Sequence, residues 1–281
     1  MPNPLEPILV PYDGSEFSQY AAAYARLLAA ASGARTVLAY ALPSGAFSWD
    51  PGGAAYQASV AEGSAFLVEE ARHFHTPVQT HLMDGVPSDA IVSEAESLRA
   101  GLVVMGCAGR SPATGILMGS TARYVLRAST RPVMVVHRGV PAIRRIVAGV
   151  EVGPAGERVT RMARLVADAT GAAITMVNAV DVDRDLRARP EQYGIPASVW
   201  SEAIAAHQAS VFGPLRAVAG PSADELVAFG SAADELRRVA TEQAAELIVV
   251  GRRGTSGRDV DAWASVAFSL AIRGPFATLV V

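Results

Sequence analysis

The sequence predicts an α/β protein of two tandem, doubly wound (Rossmann-like) domains, each a five-stranded parallel sheet flanked by helices, docked on each other as a pseudo-dimer. Three observations lead there. Short apolar runs alternate with longer amphipathic segments, the alternation occurs twice, and the length of 281 residues is twice that of a common domain.

Taken in order, the apolar runs of the first half fall near 8–12, 36–42, 78–83, 102–105 and 132–136, with helical patterns at about 16–31, 56–74, 87–99 and 119–129. The second half has runs near 145–150, 173–180, 225–229, 246–250 and 276–281. Strands that alternate with helices form parallel sheets through right-handed crossovers. Val103-Val104-Met105 and Val135-Val136 have the unbroken apolar character of strands covered on both faces.

The halves match at fixed offsets. Ile8-Leu9-Val10 leading to Asp13 corresponds to Ile146-Val147-Ala148 leading to Glu151, and Gly33 to Gly171, where a first helix ends. Further along, Gly85, Gly106 and Gly109 correspond to Gly230, Gly251 and Gly254, seven residues later than the first offset predicts. The extra residues belong between about 180 and 225, where Asp181–Pro196 is polar and contains proline. The segment His137–Ala142, with Gly139 and Pro141, reads as a linker, so the domains are expected at 1–138 and 143–281.

Composition narrows the chemistry. A hydrophobic content of 51% with 18% charge suits a packed core, and a net charge of -3 argues against nucleic acid as the main partner. All cationic side chains are Arg, because Lys is absent, which removes phosphate-binding, Schiff-base and kinase-type lysines. One cysteine, Cys107, permits no internal disulfide and suits a reducing compartment. No basic-then-apolar leader opens the sequence, and each apolar run is interrupted, so no membrane association is expected and the location is expected to be cytoplasmic.

The chemistry concentrates after the fourth run. Gly106-Cys107-Ala108-Gly109, nine residues, then Gly119-Ser120-Thr121 give G-x2-G-x9-G-[ST] between a strand and a helix. Glycines at 106 and 109 permit positive φ and close backbone approach, which can form an anion nest. The N–H groups of Gly119, Ser120 and Thr121 at a helix start attract phosphate, helped by two hydroxyls, and Arg110 offers charge in place of a lysine. Ordinary turns and an N-cap at Ser120 explain a lone G-x-x-G better, but they explain the full three-part pattern poorly.

The sequence resembles the universal stress protein family, its ATP-binding branch, in tandem form. The resemblance spans essentially the whole chain and rests on VPYDGS at 10–15, DGVPSDAI at 84–91 and the stretch 105–136. It implies that the backbone of Pro11, Tyr12 and Ala41 frames adenine. Asp13 is implied to hold the ribose hydroxyls or a phosphate-bound Mg²⁺. Met105, Gly106, Ala108, Gly109 and Arg110 would form the lower loop, and Gly119, Ser120 and Thr121 would grip phosphates. Asp13 also fits a helix cap, with Glu16 at the third helical position, and the two roles are compatible. Ala108 departs from the polar residue often found at that place. The ligand implied is ATP, with AMP, ADP or a cyclic nucleotide left open.

The second copy departs at the matching points. Glu151 replaces Asp13, Ala264 replaces Gly119, Val266 replaces Thr121 and Ala232 replaces Pro87. Trp263, Asp259 and Asp261 place bulk and negative charge there, while Arg252, Arg253 and Arg258 favour an anion. The second copy is expected to bind ATP weakly or not at all.

Three functions compete: a nucleotide-dependent stress-response regulator, a slow ATPase or nucleotidyl- or phosphoryl-transfer enzyme, and an interaction module without nucleotide. No H-x-G-H or S-G-G-x-D-S signature and no nucleophile–base–orienter motif occurs, so no catalytic residue is assigned. His73 and His75 read as a solvated helix end, and His81, His137 and His207 as isolated. Cys107 lies among N–H dipoles that lower a thiol pKa, or is a small residue filling a turn. The family resemblance places domain pairing at the last strands Pro132–Val136 and Pro275–Val281, paired antiparallel, so the two copies are expected to dock on each other and two chains to associate further as a homodimer. The protein partner is not identified by the sequence.

Overall fold

The structure is a computed structural model that describes residues 3–42, 53–109, 118–182, 184–252 and 260–281, with the side chains of 184, 260–265 and 273 outside that set. The chain divides into two compact units, one of residues 1–142 and 271–280, the other of 143–270 and 281. Strands alternate with helices in both, as the apolar spacing predicts.

In the first unit the order is β1 (Ile8–Pro11), α1 (Glu16–Ser32), β2 (Thr36–Leu42), α2 (Ala54–Ala71), β3 (Val78–Asp84), α3 (Pro87–Ser97), β4 (Leu102–Gly106), α4 (Ser120–Ala128) and β5 (Val133–Val136). The sheet runs β3-β2-β1-β4-β5 with every pair parallel. The strand order reverses at β1 and β4, so their carboxyl ends flank the switch point where such sheets bind ligands. All side chains of β5 and the first four of β4 are buried, which is why these strands read as apolar runs rather than as alternation. The last strand of the chain, β10 (Ala277–Val280), belongs to this unit and pairs antiparallel with β5, Thr278 opposite Val135 and Val280 opposite Val133. This is the antiparallel pairing expected of the final strands.

The second unit contains β6 (Arg145–Gly149), α5 (Pro154–Thr170), β7 (Ala173–Val180), α6 (Arg184–Ala188), α7 (Ala197–Phe212), α8 (Arg216–Ala219), β8 (Asp224–Phe229), α9 (Ala232–Glu242), β9 (Leu247–Val250) and most of α10 (Val260–Arg273). Its sheet order is β9-β6-β7-β8, again parallel throughout. The repeat extends to individual backbone angles. α1 and α5 end on Gly33 and Gly171 at φ 73° and 75°, a left-handed cap that glycine adopts without steric penalty. After α3 and α9, Arg99 and Ala244 take φ 50° and 48° and carry the same pair of turn hydrogen bonds. The polar stretch after β7 forms α6 and a 3-10 turn at Pro190–Tyr193, with the Arg187 guanidinium 4.8 Å over the Phe229 ring while Asp185 stays exposed.

Candidate functional site

The β1–α1 turn forms one wall of the switch point. Asp13 Oδ1 accepts from the Ser15 amide at 3.0 Å, closing an Asx turn, and Ser15 Oγ accepts from the Ser18 amide at 3.2 Å. Ser15 is therefore the N-cap of α1 and Glu16 its first residue, so the reading of Asp13 as the cap, with Glu16 at the third helical position, is corrected. Capping by Ser15 leaves the Asp13 side chain directed across the turn rather than into the helix end. A β-carbon built on Gly109 would stand 3.0 Å from Asp13 Oδ2, which places the carboxylate against the β4 loop.

The glycines of that loop act through space rather than through φ. Neither Gly106 nor Gly109 adopts positive φ, contrary to the nest reading. At Gly106 a β-carbon would meet Phe17 Cβ at 2.6 Å and the Phe17 backbone at 2.7 Å, so glycine is what lets α1 cross the end of β4. Gly119 donates its N–H to the Cys107 carbonyl at 2.8 Å and precedes α4 with extended backbone. That bond brings the N-terminus of α4 back beside Ala108, whose Cα would be 3.4 Å from a β-carbon on Gly119. The Gly119 N–H is thus spent on the loop, and the first helical bond runs from Arg123 N to Gly119 O. The N–H groups of Ser120 and Thr121 remain as first-turn donors without a helical carbonyl partner.

Asp13, Ala108, Gly109 and Gly119 come together, and exposed Ser120 and half-buried Thr121 follow directly in α4. Pro11 ends β1, the Tyr12 amide bonds the Ala39 carbonyl at 2.8 Å, and Ala41 lies half-buried two residues farther along β2. Met105 is a core side chain, 4% exposed, so only its backbone reaches the loop. Arg110 lies outside the described residues, as do Arg253, Gly254, Arg258 and Asp259 of the second copy and the side chains of Asp261, Trp263, Ala264 and Ser265.

Cys107 is buried, and burial pushes its thiol up to about 11, the reverse of the lowering that loop dipoles suggest. The small-residue reading of Cys107 matches this site. Among the described residues no cluster of three His, Cys, Asp or Glu side chains forms a metal site. His73 and His75 are exposed at the end of α2, whereas the other three histidines are not isolated. His81 Nδ1 meets Glu94 Oε1 at 2.7 Å, His137 Nε2 meets the Ala271 carbonyl at 2.6 Å, and His207 Nε2 meets Asn178 Oδ1 at 2.8 Å. The His81–Glu94 pair lines a depression that also touches Val37, Gln79 and Leu98, toward the amino ends of β2 and β3 and away from the switch point.

A buried network escaped the sequence reading. The Tyr12 hydroxyl donates to Glu70 Oε2 at 2.9 Å, Glu70 Oε1 takes the Arg26 guanidinium, and Arg26 sits 5.6 Å over the Phe74 ring. Burial, with the Glu70 carboxylate alongside, pushes the Tyr12 phenol well above the ordinary tyrosine range, so it stays a donor. No short motif signals this, because its partners stand 58 and 44 residues apart.

The second copy is built differently at the matching points. Asn178, in the place of Tyr40, donates its amide N–H to the Val150 carbonyl at 2.8 Å, and Val150 stands in the place of Tyr12. Because the Asn178 nitrogen faces a carbonyl, its oxygen faces His207, which must donate from Nε2.

A tandem pair of doubly wound domains with a glycine-spaced loop at one switch point defines the class. The chain belongs to the universal stress protein family, whose profile matches residues 4–137 and again 142–281. It is 30% identical over 152 residues to universal stress protein MJ0531 of Methanocaldococcus jannaschii, covering 48% of this chain and 84% of that protein. Among solved structures it is similar to a universal stress protein of Archaeoglobus fulgidus, with TM-score 0.67, 19% identity and 97% of each chain covered. It is also similar to a putative universal stress protein of Pseudomonas aeruginosa, with TM-score 0.62, 18% identity, 98% of this chain and 92% of that one covered. At those identities the structures speak for the fold.

Proposed function

We propose that the first domain, 1–138, binds one adenine nucleotide, ATP in the first instance, and that the second, 143–281, does not. The observation that carries the reading is the convergence of the Asp13 carboxylate, glycine at 109 and the start of α4 at one switch point. The carboxylate is the right acceptor for two vicinal ribose hydroxyls. Ser120 and Thr121 offer backbone N–H and hydroxyl donors to phosphate where the helix dipole is positive. Asp13 is also a fitting partner for Mg²⁺, which needs few protein ligands when phosphates supply the others, and which would neutralise phosphate charge there.

Nucleotide bound to these elements alters the surface that the end of β4 and the start of α4 offer to a partner, which is how a regulator in the stress response would act in the cytoplasm. Association of two chains into a homodimer is proposed as well, through surfaces other than the edges of β5, which β4 and β10 already occupy. The test is to denature freshly purified protein and identify released nucleotide by chromatography, then titrate stripped protein with ATP. One adenine nucleotide per chain supports the reading. Failure of millimolar ATP to bind removes it and leaves an interaction module. A steady-state hydrolysis rate well above that of a Gly109 variant would place the protein among slow ATPases.

A further inference from the structure

We infer that Glu70 and Arg26, through the hydroxyl of Tyr12, are positioning residues that hold the Tyr12–Asp13 peptide in its nucleotide-binding geometry; the inference rests on the adenine-nucleotide reading of the first domain. Three elements meet at one carboxylate. Tyr12 comes from the β1–α1 turn, Arg26 from α1 and Glu70 from the end of α2, and both Glu70 oxygens are engaged. Glu70 is 6% exposed and Tyr12 7%.

A carboxylate buried to this degree is a costly way to stabilise a fold, since apolar residues of similar volume pack as well or better. Its neighbour in sequence shows the alternative. The Glu69 side chain is 65% exposed and pairs with Arg72 on the surface. What Glu70 adds over an apolar residue is direction. It fixes the Tyr12 phenol, and Tyr12 immediately precedes the carboxylate that faces Gly109. The Asp13 carboxylate is therefore held at two points, through the chain by the Tyr12–Glu70 link before it and at Oδ1 by the Ser15 amide after it.

The second copy supplies an internal comparison. Arg164 holds the place of Arg26, but Val150 stands where Tyr12 does and Glu151 where Asp13 does. There Arg164 bonds the Ala219 carbonyl at 3.1 Å and Asp168 at 2.6 Å. The arginine thus occurs in both copies, while the buried tyrosine–carboxylate link accompanies only the copy with the intact loop.

The experiment is a double-mutant cycle read by calorimetric titration of the full chain with ATP and with adenosine. Tyr12→Phe should weaken both ligands by the same factor, about tenfold, because the link acts on the nucleoside side and not on the phosphates. In an Asp13→Ala background the same change should cost less than about twofold, since the group being positioned is gone. Glu70→Gln, which keeps an acceptor for Tyr12, should lose less affinity than Glu70→Leu. Equal losses in both Asp13 backgrounds would mean that the fold had merely loosened, and unchanged affinity in Tyr12→Phe would equally overturn the inference. Amide exchange at Ser15 separates this failure from that of the nucleotide reading. If wild-type protein binds no nucleotide, that reading falls by itself, and exchange at Ser15 still decides the positioning. Faster exchange in Tyr12→Phe than in wild type upholds it, and equal exchange overturns it.

Discussion

Asp13 Oδ2 lies 3.0 Å from where a β-carbon on Gly109 would stand, so the end of β1 and the loop after β4 share one small volume. Gly109 is itself exposed, and a side chain there fills the space beside the carboxylate without entering the core. Gly109→Val is therefore expected to lower ATP affinity by about tenfold or more while changing stability by less than about 0.5 kcal/mol. Calorimetric titration beside urea denaturation checks both halves. A large stability loss with unchanged affinity would refute the assignment.

Gly106 gives the opposite pattern. A β-carbon there meets Phe17 Cβ and backbone at 2.6 and 2.7 Å, and backbone cannot yield as a side-chain end can. Gly106→Ala is expected to destabilise the protein by about 1–3 kcal/mol, as overpacking does, and to weaken nucleotide binding only as far as the loop shifts. Equilibrium unfolding in urea measures the change. Wild-type stability would show that α1 can move aside.

The contrast between these glycines marks how far the sequence could be read. Strands such as β4 and β5 were legible because burial on both faces removes polar residues, and the repeat was legible because Gly33 and Gly171 mark the same left-handed helix ends. Spacing also located the loop. It could not tell whether Gly106 serves φ or close approach, because that depends on Phe17, 89 positions away in the chain. Nor could it separate Glu69 from Glu70, adjacent and chemically identical, of which one faces solvent and the other Tyr12. Local pattern reports which residues are apolar, whereas a buried polar group is defined by partners brought in by the tertiary fold.

His137 follows β5 directly and donates from Nε2 to the Ala271 carbonyl at 2.6 Å, capping the last turn of α10. Burial, opposed by that bond, lowers its pKa below the ordinary value of 6.5. The unfolded chain then takes up the proton more readily than the folded one, so this group's stabilisation is complete above about pH 6.5 and is lost as pH falls through the lowered value. The thermal midpoint should fall between neutral pH and about pH 5, and His137→Gln should flatten that dependence. A variant with the wild-type slope would assign the acid sensitivity to other groups.

The last prediction concerns the second domain. Its loop departs at Ala264 and Val266, and restoring Gly and Thr there repairs the sequence pattern. The structure gives a separate obstacle. Asn178 is 8% exposed and already holds the Val150 carbonyl, with His207 holding Asn178 in turn. In the first domain the matching positions are Tyr40 and Tyr12, whose hydroxyls turn to the Glu62 and Glu70 carboxylates. Nucleotide bound to the Val150 backbone would have to displace a buried amide, leaving it and His207 to find new partners at a cost of about 1–3 kcal/mol. Ala264→Gly with Val266→Thr is therefore expected to leave the stoichiometry at one adenine nucleotide per chain, measured by titration of stripped protein. A second equivalent would show that the loop alone separates the two domains, and that the Asn178–His207 pair presents no barrier.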